Sequence, residues 1–276
     1  MSKRDEYAAG VPCWVETLQP DARAATAFYG SLLGWEFSEP GPMPGGLPGE
    51  YFVARIDGCA VAGIGTLPDP GGPPTPVWNT YVCVDRADAA VGRARDAGGS
   101  LLVGPLDASP AGRFAVLADP AGAAFSVWEA GDRLGAEIVN EPGSWLMSSL
   151  HTPDPVGAAA FYGALFGWRA EPIAPGAAVT LFRLADYVGG EPGQAIPRDV
   201  VGVMAPTAGD ERTGGEIPPH WNVNLRVEDV DRVAAHTAER GGGILMAPTD
   251  APGFRNAVLR DPQGAAFSVS ELVASA

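Results

Sequence analysis

The alternation of apolar and polar residues predicts short strands, separated by segments in which apolar residues recur at helical spacing. In residues 21–33, Ala25, Phe28 and Leu32 fall on one side of a helix, and Gly34 follows as a helix-ending glycine. One strand precedes this helix and two strands follow it. The predicted elements of this first unit are strand 13–18, helix 21–33 and strands 51–56 and 59–64.

The same plan, in which a strand and a helix are followed by further strands, is predicted three more times. A Pro- and Gly-rich linker at 67–76 precedes the second unit, and a longer linker at about 206–219 precedes the fourth. The further predicted strands are 79–84, one near 101, 113–117, 123–128, 144–150, 179–184, 221–227, 244–245, 254–259 and 265–270; the helices are 87–97, 155–166 and 230–240. The chain is therefore predicted to contain four α+β units.

Three sequence motifs occur twice, in the same order. They are FAVLADPAGAAFSV at 114–127 and NAVLRDPQGAAFSV at 256–269, FYGSLLGW at 28–35 and FYGALFGW at 161–168, and VWN at 77–79 and HWN at 220–222. The repeat spans about 130 residues, which is longer than the 20–50 residues of a solenoid unit. We therefore predict two copies of one domain, at 11–132 and 143–273.

These duplicated motifs resemble those of the vicinal oxygen chelate superfamily, which includes glyoxalase I, extradiol dioxygenases and the fosfomycin and bleomycin resistance proteins. The chain is most similar to the two-domain, glyoxalase-like proteins of actinobacteria, over residues 11–273. The resemblance implies an α+β fold in which four βαβββ units form curved mixed sheets, and paired units enclose an open trough. The superfamily pairs either neighbouring units or the first unit with the fourth, so the pairing stays open.

The resemblance also implies where a metal ion would be held. Metal-using relatives place ligands on the first strand of each unit and on the last strand. Carried onto this sequence, the positions are Trp14, Asn79 and Ser126 in the first copy and Met147, Asn222 and Ser268 in the second. Divalent metals prefer imidazole, thiolate or carboxylate ligands. We therefore expect neither trough to hold a metal or another cofactor.

The strand face that carries these positions is the candidate ligand site, because side chains alternate along a strand. The predicted ligand-binding residues are Trp14, Glu16, Asn79, Tyr81, Ser126 and Trp128 in the first copy and Met147, Asn222, Asn224 and Ser268 in the second. Trp14, Tyr81 and Trp128 form an aromatic wall suited to a flat, largely apolar ligand. Ordinary core packing of these aromatic residues is the alternative.

Two residues are candidates for acid or base chemistry. Glu16 is the one carboxylate that the alternation places in a trough, where it is predicted either to transfer a proton or to pair with a ligand's ammonium group. A rim position, solvated or bonded to the backbone, is the alternative. His220 shares a face with Asn222 and is the second candidate. His151 is predicted to cap or line the end of its strand.

The other histidine and two further acidic residues are expected to lie outside the troughs. His236 falls in the middle of a predicted helix and is predicted to be exposed. Glu129 and Glu271 fall on the opposite strand face from the trough, on the solvent side.

Composition limits the partners. The formal charge of −15 repels phosphate backbones and anionic membrane surfaces, so we expect no nucleic acid or membrane partner and favour a cationic small molecule. The sequence has neither a signal peptide at its start nor an apolar run long enough to span a membrane, so a cytoplasmic protein is expected. The three cysteines show no CxxC spacing and are predicted to be free, buried thiols.

Three functions remain open at this point. The first is a metal-free binding protein for a bulky aromatic natural product, such as an anthracycline-type antibiotic, acting in sequestration, self-resistance or biosynthesis. The second is a metal-independent lyase, isomerase or cofactor-independent hydroxylase that acts on a secondary metabolite with Glu16 or His220 as base. The third is a sensor of carbonyl compounds or metabolites. Duplication supplies in one chain what single-domain relatives obtain by dimerising, so both a monomer and a homodimer are consistent with the sequence.

Overall fold

The computed structural model describes residues 3–68, 75–189, 197–207, 209–210 and 215–273. The parts of the two predicted linkers at 69–74, 208 and 211–214 lie outside the described residues. No helix within the described ranges has the length and apolar character needed to cross a membrane.

Among the described residues, the first half contributes nine strands and two helices, and the second half contributes ten strands and two helices. The first half forms β1 (Pro12–Gln19), α1 (Ala22–Leu33), β2 (Glu36–Phe37), β3 (Gly41–Pro42), β4 (Glu50–Ile56), β5 (Cys59–Thr66), β6 (Val77–Cys83), α2 (Ala87–Asp96), β7 (Ser100–Asp107), β8 (Gly112–Ala118) and β9 (Ala124–Ala130). The second half forms β10 (Trp145–Thr152), α3 (Pro155–Phe166), β11 (Arg169–Pro172), β12 (Thr180–Arg183), β13 (Val200–Pro206), β14 (Gly209–Asp210), β15 (Gly215–Glu216), β16 (His220–Arg226), α4 (Val230–Glu239), β17 (Gly243–Ala251), β18 (Phe254–Arg260) and β19 (Ala266–Leu272).

Each half builds one mixed sheet. The strand order is β2-β4-β5-β1-β6-β9-β8-β7 in the first sheet, with β3 beside β4, and β11-β12-β13-β10-β16-β19-β18-β17 in the second. The two units of the first half join where β1 runs antiparallel to β6, and β10 and β16 join the units of the second half. Each trough is therefore built from neighbouring units, which answers the question that the sequence left open. The predicted α+β fold of two tandem repeats is confirmed.

Capping residues set the helix boundaries close to where the sequence placed them. The Asp21 side chain accepts a hydrogen bond from the backbone N–H of Ala24, and α1 ends at Gly34 in the left-handed conformation (φ 71°). Asp154 and Gly167 have the same roles in α3.

Glu129 and Glu271 also act as capping groups. Their carboxylates accept hydrogen bonds from the first backbone N–H groups of α2 and α4. The expectation that these two residues simply face solvent is therefore wrong.

Some strands were not predicted. β13 is parallel to β10 and lies between β10 and β12, where most of its residues are buried. A parallel strand covered on both faces reads as a continuous apolar run, so VVGVM lacks the alternation that identifies a half-exposed strand. Within the predicted second linker, β14 pairs with β15 as a two-stranded ribbon.

The helices lie between the two sheets and form two hydrophobic cores that both repeats share. One core combines residues of α1, β4 and β5 with residues of α4, β18 and β19. The other combines residues of α2, β8 and β9 with residues of α3, β12 and β13. Each sheet therefore packs its helix-bearing face against the other repeat, and its trough face points away from the shared core.

The duplicated motifs meet across this boundary in a buried polar cluster. The Tyr29 hydroxyl, from FYG of the first repeat, donates to Asp261 Oδ2, from the DPxG turn of the second, at 2.9 Å. Trp78 Nε1, from VWN, donates to the same hydroxyl at 3.0 Å, and Gln19 Nε2 donates to Asp261 Oδ2 at 2.7 Å. The motifs of one repeat thus satisfy the polar groups of the other.

A mirrored cluster joins the opposite pair of motifs. The Tyr162 hydroxyl donates to Asp119 Oδ2 at 3.2 Å and accepts from Trp221 Nε1 at 2.8 Å. Thr152 occupies the position equivalent to Gln19, and no bond from Thr152 to Asp119 occurs among the residues that the structure describes. We call these two clusters the cross-repeat clusters.

Candidate functional site

The first sheet encloses a cavity of about 340 Å³ on its trough face. Its walls come from strands at both ends of the sheet and from two connecting segments. The lining residues are Trp14, Glu16, Pro42, Met43, Pro44, Gly45, Gly46, Tyr51, Val53, Tyr81, Asp107, Ala108, Ser109, Ala111, Phe114, Trp128, Arg133 and Gly135.

The two ends of the sheet approach each other across this cavity. The 3₁₀ turn Pro44–Gly46 follows β3 and contacts β7, although β3 and β7 lie at opposite ends of the strand order. Gly45 has φ 70°, and a Cβ at this position would lie 2.7 Å from Leu106 Cδ1. Glycine is therefore required both by the backbone conformation and by the close approach that closes the trough.

Aromatic side chains form most of the wall. Trp14, Tyr81, Phe114 and Trp128 are each at most 8% exposed and belong to one buried cluster. The rings of Tyr81 and Trp128 meet edge to face at 6.3 Å, and those of Tyr81 and Phe114 lie 6.2 Å apart. The predicted aromatic residues Trp14, Tyr81 and Trp128 therefore pack in one cluster with Phe114, which was not predicted, and all four also face a cavity.

Glu16 lies at the base of this wall and accepts two short hydrogen bonds. Its side chain is buried, with 5% of the residue exposed. The Tyr81 hydroxyl donates to Oε1 at 2.5 Å, and the Tyr51 hydroxyl donates to Oε2 at 2.8 Å. Trp14 Nε1 donates in turn to the Tyr51 hydroxyl at 3.0 Å. The predicted alternative of a solvated rim position does not apply to Glu16.

Burial governs the protonation of this group. Loss of solvation raises the pKa of the Glu16 carboxyl above its ordinary value, and the hydrogen bonds from Tyr81 and Tyr51 oppose that rise. Burial and the neighbouring Glu16 charge raise the pKa of both phenols well above the usual value, so both stay protonated donors at neutral pH. A carboxyl in this setting can exchange a proton closer to neutral pH than an exposed glutamate.

Tyr51 was missed by the sequence analysis, although the chain carries a signal for it. Tyr51 lies on β4 and covers β5 at two glycines, Gly63 and Gly65. A Cβ at Gly63 would lie 2.0 Å from the Tyr51 hydroxyl oxygen. Glycines two residues apart in a strand mark a face against which another group lies closely. Which group this is depends on strand register, which the sequence does not reveal.

Arg133 is the second residue that was missed. It follows β9 in a loop, and its Cζ lies 5.5 Å from the centre of the Trp14 ring, within the range of a cation–π contact. The Arg133 carbonyl accepts a hydrogen bond from Trp128 Nε1 at 2.8 Å, which fixes the loop to the aromatic wall. The cavity thus has a guanidinium in its lining as well as the Glu16 carboxyl.

Asn79 and Ser126 share the trough face with these residues but are not among the cavity-lining residues. Asn79 Nδ2 donates to Ser126 Oγ at 2.7 Å, and both side chains are buried. Together with Trp14 they occupy the positions where relatives bind metal. An indole and an amide–hydroxyl pair that satisfies itself do not fit a divalent metal ion. Throughout the described part of the chain, no group of three or more His, Cys, Asp or Glu residues is placed to hold one.

The second trough has a different surface at equivalent positions. Met147, Ser149, Asn224, Asn256 and Ser270 stand where the first repeat has Trp14, Glu16, Tyr81, Phe114 and Trp128. Its polar groups bond one another, because Asn224 Nδ2 donates to Ser270 Oγ at 2.7 Å and Ser270 Oγ donates to Asn256 Oδ1 at 2.6 Å. Asn222 Nδ2 likewise donates to Ser268 Oγ at 2.9 Å. An aromatic wall therefore forms only on the first of the two described trough faces.

Two histidines stack in the second trough. The rings of His151 and His220 lie 4.9 Å apart and within 8° of parallel, and Ser149 Oγ lies 3.2 Å from His151 Nε2. His220 Nδ1 is also bonded to the Pro218 carbonyl at 2.8 Å. His220 and Glu16 belong to different sheets, so the structure does not bring the two candidate acid–base groups together. His236 is half-buried beside Ser31 rather than exposed.

His151 is expected to make the protein acid-sensitive. Burial, reinforced by the neighbouring His220, lowers the pKa of His151 from its ordinary 6.5 to about 4. A depressed histidine pKa contributes stability that is present above pH 6.5 and is lost as the pH falls toward 4. In His151→Gln, the loss of unfolding free energy between about pH 7 and 4.5 should therefore be about 2–3 kcal/mol smaller than in the unaltered protein.

Urea unfolding at the two pH values checks this expectation. Met147→Leu, which changes a non-titratable side chain of the same trough, serves as the control and should leave the pH dependence of stability unchanged. The same pH-dependent loss of stability in His151→Gln and in the unaltered protein would show that His151 does not carry the effect.

Comparison with known proteins identifies related sequences and folds. A family model described as "Glyoxalase-like domain" matches residues 14–128 and 147–270. Over 274 residues, the chain is 39% identical to CFP32 of Mycobacterium tuberculosis, a protein named provisionally as a glyoxylase; the match covers 98% of this chain and 97% of that protein. It is 37% identical over 285 residues to the anthracycline biosynthesis protein DnrV of Streptomyces peucetius, covering 96% and 94%.

Solved structures with the same fold are more distant in sequence. The Mn(II)-bound glyoxalase of Novosphingobium aromaticivorans matches with a TM-score of 0.60 at 17% identity, covering 95% of this chain and 82% of that one. The 2,3-dioxygenase LapB of Pseudomonas sp. KL28 matches with a TM-score of 0.61 at 11% identity, covering 96% and 93%. At these identities the likeness concerns the fold.

Proposed function

Because the chain belongs to the glyoxalase-like domain family of the vicinal oxygen chelate superfamily, with one copy of the domain in each half, we propose that its first repeat binds a bulky, flat aromatic small molecule without a metal ion. The observation that carries this proposal is the cavity of about 340 Å³ between Trp14, Tyr81, Phe114 and Trp128. Its volume falls within the range of small-molecule sites, and its aromatic surface suits stacking against a planar ligand.

An anthracycline-type polyketide is the ligand class that we favour. Two relatives, DnrV of Streptomyces peucetius and DauV of a Streptomyces species, carry names that place them in anthracycline biosynthesis. Such molecules combine a planar fused-ring system with polar edges, which corresponds to an aromatic wall flanked by Glu16 and Arg133. The proposed role is sequestration, self-resistance or an accessory function in the biosynthesis of such a compound.

A cationic substituent on the ligand would add long-range attraction. The protein carries a formal charge of −15, and the cavity lining contains the acidic residues Glu16 and Asp107 as well as the basic Arg133. An anthracycline with an aminosugar is therefore expected to bind more tightly than its uncharged aglycone, by a margin that shrinks as salt is added.

Fluorescence titration tests the proposal. An anthracycline added to the protein should quench tryptophan emission to saturation, because Trp14 and Trp128 line the cavity. Prior treatment with EDTA should change the dissociation constant by less than about twofold, since no metal is required. Absence of saturable quenching by the anthracycline and its aglycone would contradict binding, and loss of binding after chelation would contradict the metal-free site.

An enzyme that transfers a proton is the second candidate function. It is supported by the buried Glu16 carboxyl with its raised pKa, next to a cavity for an organic molecule. In this role Glu16 would remove a proton from a bound secondary metabolite, as a lyase, isomerase or cofactor-independent hydroxylase requires. His220 is less suited, because it lies in the other sheet and is bonded to the Pro218 carbonyl.

Mass spectrometry separates the two candidates. A ligand that binds is incubated with the protein, and the mixture is searched for a product of altered mass or retention time. A product that forms with the unaltered protein and not with Glu16→Gln would establish catalysis. Full recovery of the ligand would leave binding alone.

A further inference from the structure

Hydrogen bonds at the base of the aromatic cavity run in one direction, toward Glu16. The indole N–H of Trp14 can only donate, so the Tyr51 oxygen that it contacts at 3.0 Å must accept. The Tyr51 proton is then left for Glu16 Oε2 at 2.8 Å. The direction of these two hydrogen bonds is fixed, because the indole nitrogen has no lone pair that could accept the Tyr51 proton.

A second phenol donates to the other carboxylate oxygen. Tyr81 on β6 lies beside Ser126 of β9, whose Oγ accepts a hydrogen bond from Asn79 Nδ2 at 2.7 Å. Tyr81 donates to Glu16 Oε1 at 2.5 Å. Each carboxylate oxygen therefore receives one phenol donor and has a further lone pair, and Glu16 is among the residues that line the cavity.

The second repeat lacks this arrangement of two phenols around a carboxylate. Asn222 and Ser268 repeat the Asn79–Ser126 pair, but Asn224 replaces the second tyrosine and Ser149 replaces the glutamate. The two phenol donors that converge on Glu16 are thus a feature of the first trough rather than of the fold.

We infer that Glu16 is held as a fixed hydrogen-bond acceptor and that the cavity therefore selects flat aromatic ligands that present an O–H or N–H donor to it. Tyr51 is the positioning residue that maintains this preference. The inference rests on the proposed binding of an aromatic ligand in the first trough. A ligand whose only polar edge is an acceptor would meet an acceptor, and the lone pairs of the carboxylate would remain unsatisfied.

The pH dependence of the ligand preference distinguishes a role for Glu16 as hydrogen-bond acceptor from a role in packing alone. The titratable groups that contact Glu16 are the phenols of Tyr51 and Tyr81, and the cavity lining adds Arg133 and Asp107. Burial raises the pKa of Glu16, and the hydrogen bonds from the two phenols oppose that rise. The preference for a donor ligand should therefore be present when Glu16 is ionised and should fade as the pH falls through its pKa.

Two ligands with the same ring system, one with a hydroxyl donor and one with the methyl ether in its place, test the inference. Binding of 2-naphthol and of 2-methoxynaphthalene is measured by isothermal titration calorimetry in a pH series. We expect 2-naphthol to bind at least about tenfold more tightly above the pKa of Glu16, the factor typical of a hydrogen bond to a charged group. Glu16→Gln should reduce the ratio of the two dissociation constants to less than about threefold.

Tyr51→Phe tests the positioning role, because it keeps the ring and removes the hydroxyl. The pH at which the preference for 2-naphthol fades should rise, since Glu16 loses one of the donors that favour its ionised form. Tyr187→Phe, a change in the second half and outside the cavity, should leave that pH unchanged.

The outcomes distinguish this inference from the proposed function. Equal binding of both naphthalenes would overturn the donor preference and leave the aromatic site in place. Binding of neither would count against the aromatic site itself. An unchanged pH profile in Tyr51→Phe, with the preference intact, would remove Tyr51 from the positioning role.

Discussion

Replacing Asp261 with Ala is expected to lower the free energy of unfolding by about 3–5 kcal/mol, because it breaks a buried network between the two repeats. The Asp261 carboxylate is 2% exposed and accepts from Tyr29 and Gln19 of the first repeat. Its other oxygen accepts from the backbone N–H groups of residues 263–265. Truncation takes the acceptor from the Tyr29 hydroxyl and from the backbone N–H groups of Gln263 and Ala265, and it opens a polar cavity in the core. Gln19 keeps its bond to Thr17 Oγ1, and the Gly264 N–H keeps its bond to the backbone carbonyl of Asp261.

The same change at Asp119 should cost less. Asp119 accepts from Tyr162 and from three backbone N–H groups, and within the described ranges Thr152, at the position equivalent to Gln19, makes no bond to it. We therefore expect Asp119→Ala to be destabilising, but by about 1 kcal/mol less than Asp261→Ala, the typical contribution of one hydrogen bond. Urea unfolding monitored by circular dichroism measures both values.

A double-mutant cycle tests whether the network joins the two repeats. Tyr29→Phe combined with Asp261→Asn should show a coupling energy of about 1–2 kcal/mol, because the two side chains bond directly across the boundary. Tyr29→Phe combined with Asp119→Asn, whose sites belong to different clusters, should be additive within about 0.5 kcal/mol. Additivity in both pairs would refute a cross-repeat role for Tyr29.

Trp14→Met is expected to weaken binding of an anthracycline about ten- to thirtyfold, which corresponds to about 1.4–2 kcal/mol. The substitution installs the residue found at the equivalent position of the second repeat, Met147, and keeps an apolar side chain in the core. It removes the stacking surface of the cavity, the ring beneath Arg133, and the indole donor to Tyr51. Calorimetric titration measures the affinity independently of tryptophan emission.

The matched control for this variant is Met147→Leu in the second trough, which lies outside the proposed site. It should bind the anthracycline with an affinity within about twofold of the unaltered protein. A similar effect of the two variants, or an unchanged affinity in Trp14→Met that unfolds cooperatively in urea, would argue against the first trough as the ligand site.

Much of the fold could be predicted because each element carries its own local signal. Helix α1 is flanked by a capping aspartate and a terminal glycine, and the predicted and observed helices agree within two residues at each end. The duplicated motifs gave the number of repeats directly. Strand β13 escaped prediction because burial on both faces removes the alternation by which a strand is recognised.

The site was predictable only in part, for a physical reason. Trp14, Glu16, Tyr81 and Trp128 follow from alternation along single strands, and the structure brings all four to one cavity. Tyr51 and Arg133 lie on segments whose position depends on strand register and on the path of a loop, which are set by packing across the whole sheet. That these residues bind a ligand remains a prediction, as do the roles of Asn79, Ser126 and the second trough.

The duplicated dipeptide Trp-Asn explains how the trough surfaces of the two repeats can differ while the cross-repeat clusters are kept. In β6, Trp78 points to the cross-repeat cluster while its neighbour Asn79 lies on the trough face, and Trp221 and Asn222 divide the two faces of β16 in the same way. Mutations at alternate positions can thus rewrite a trough while the residues that hold the molecule together stay unchanged. The second trough is, for this reason, a starting point for engineering, because positions on its surface can be varied while the cross-repeat cluster on the other face of the sheet stays unchanged.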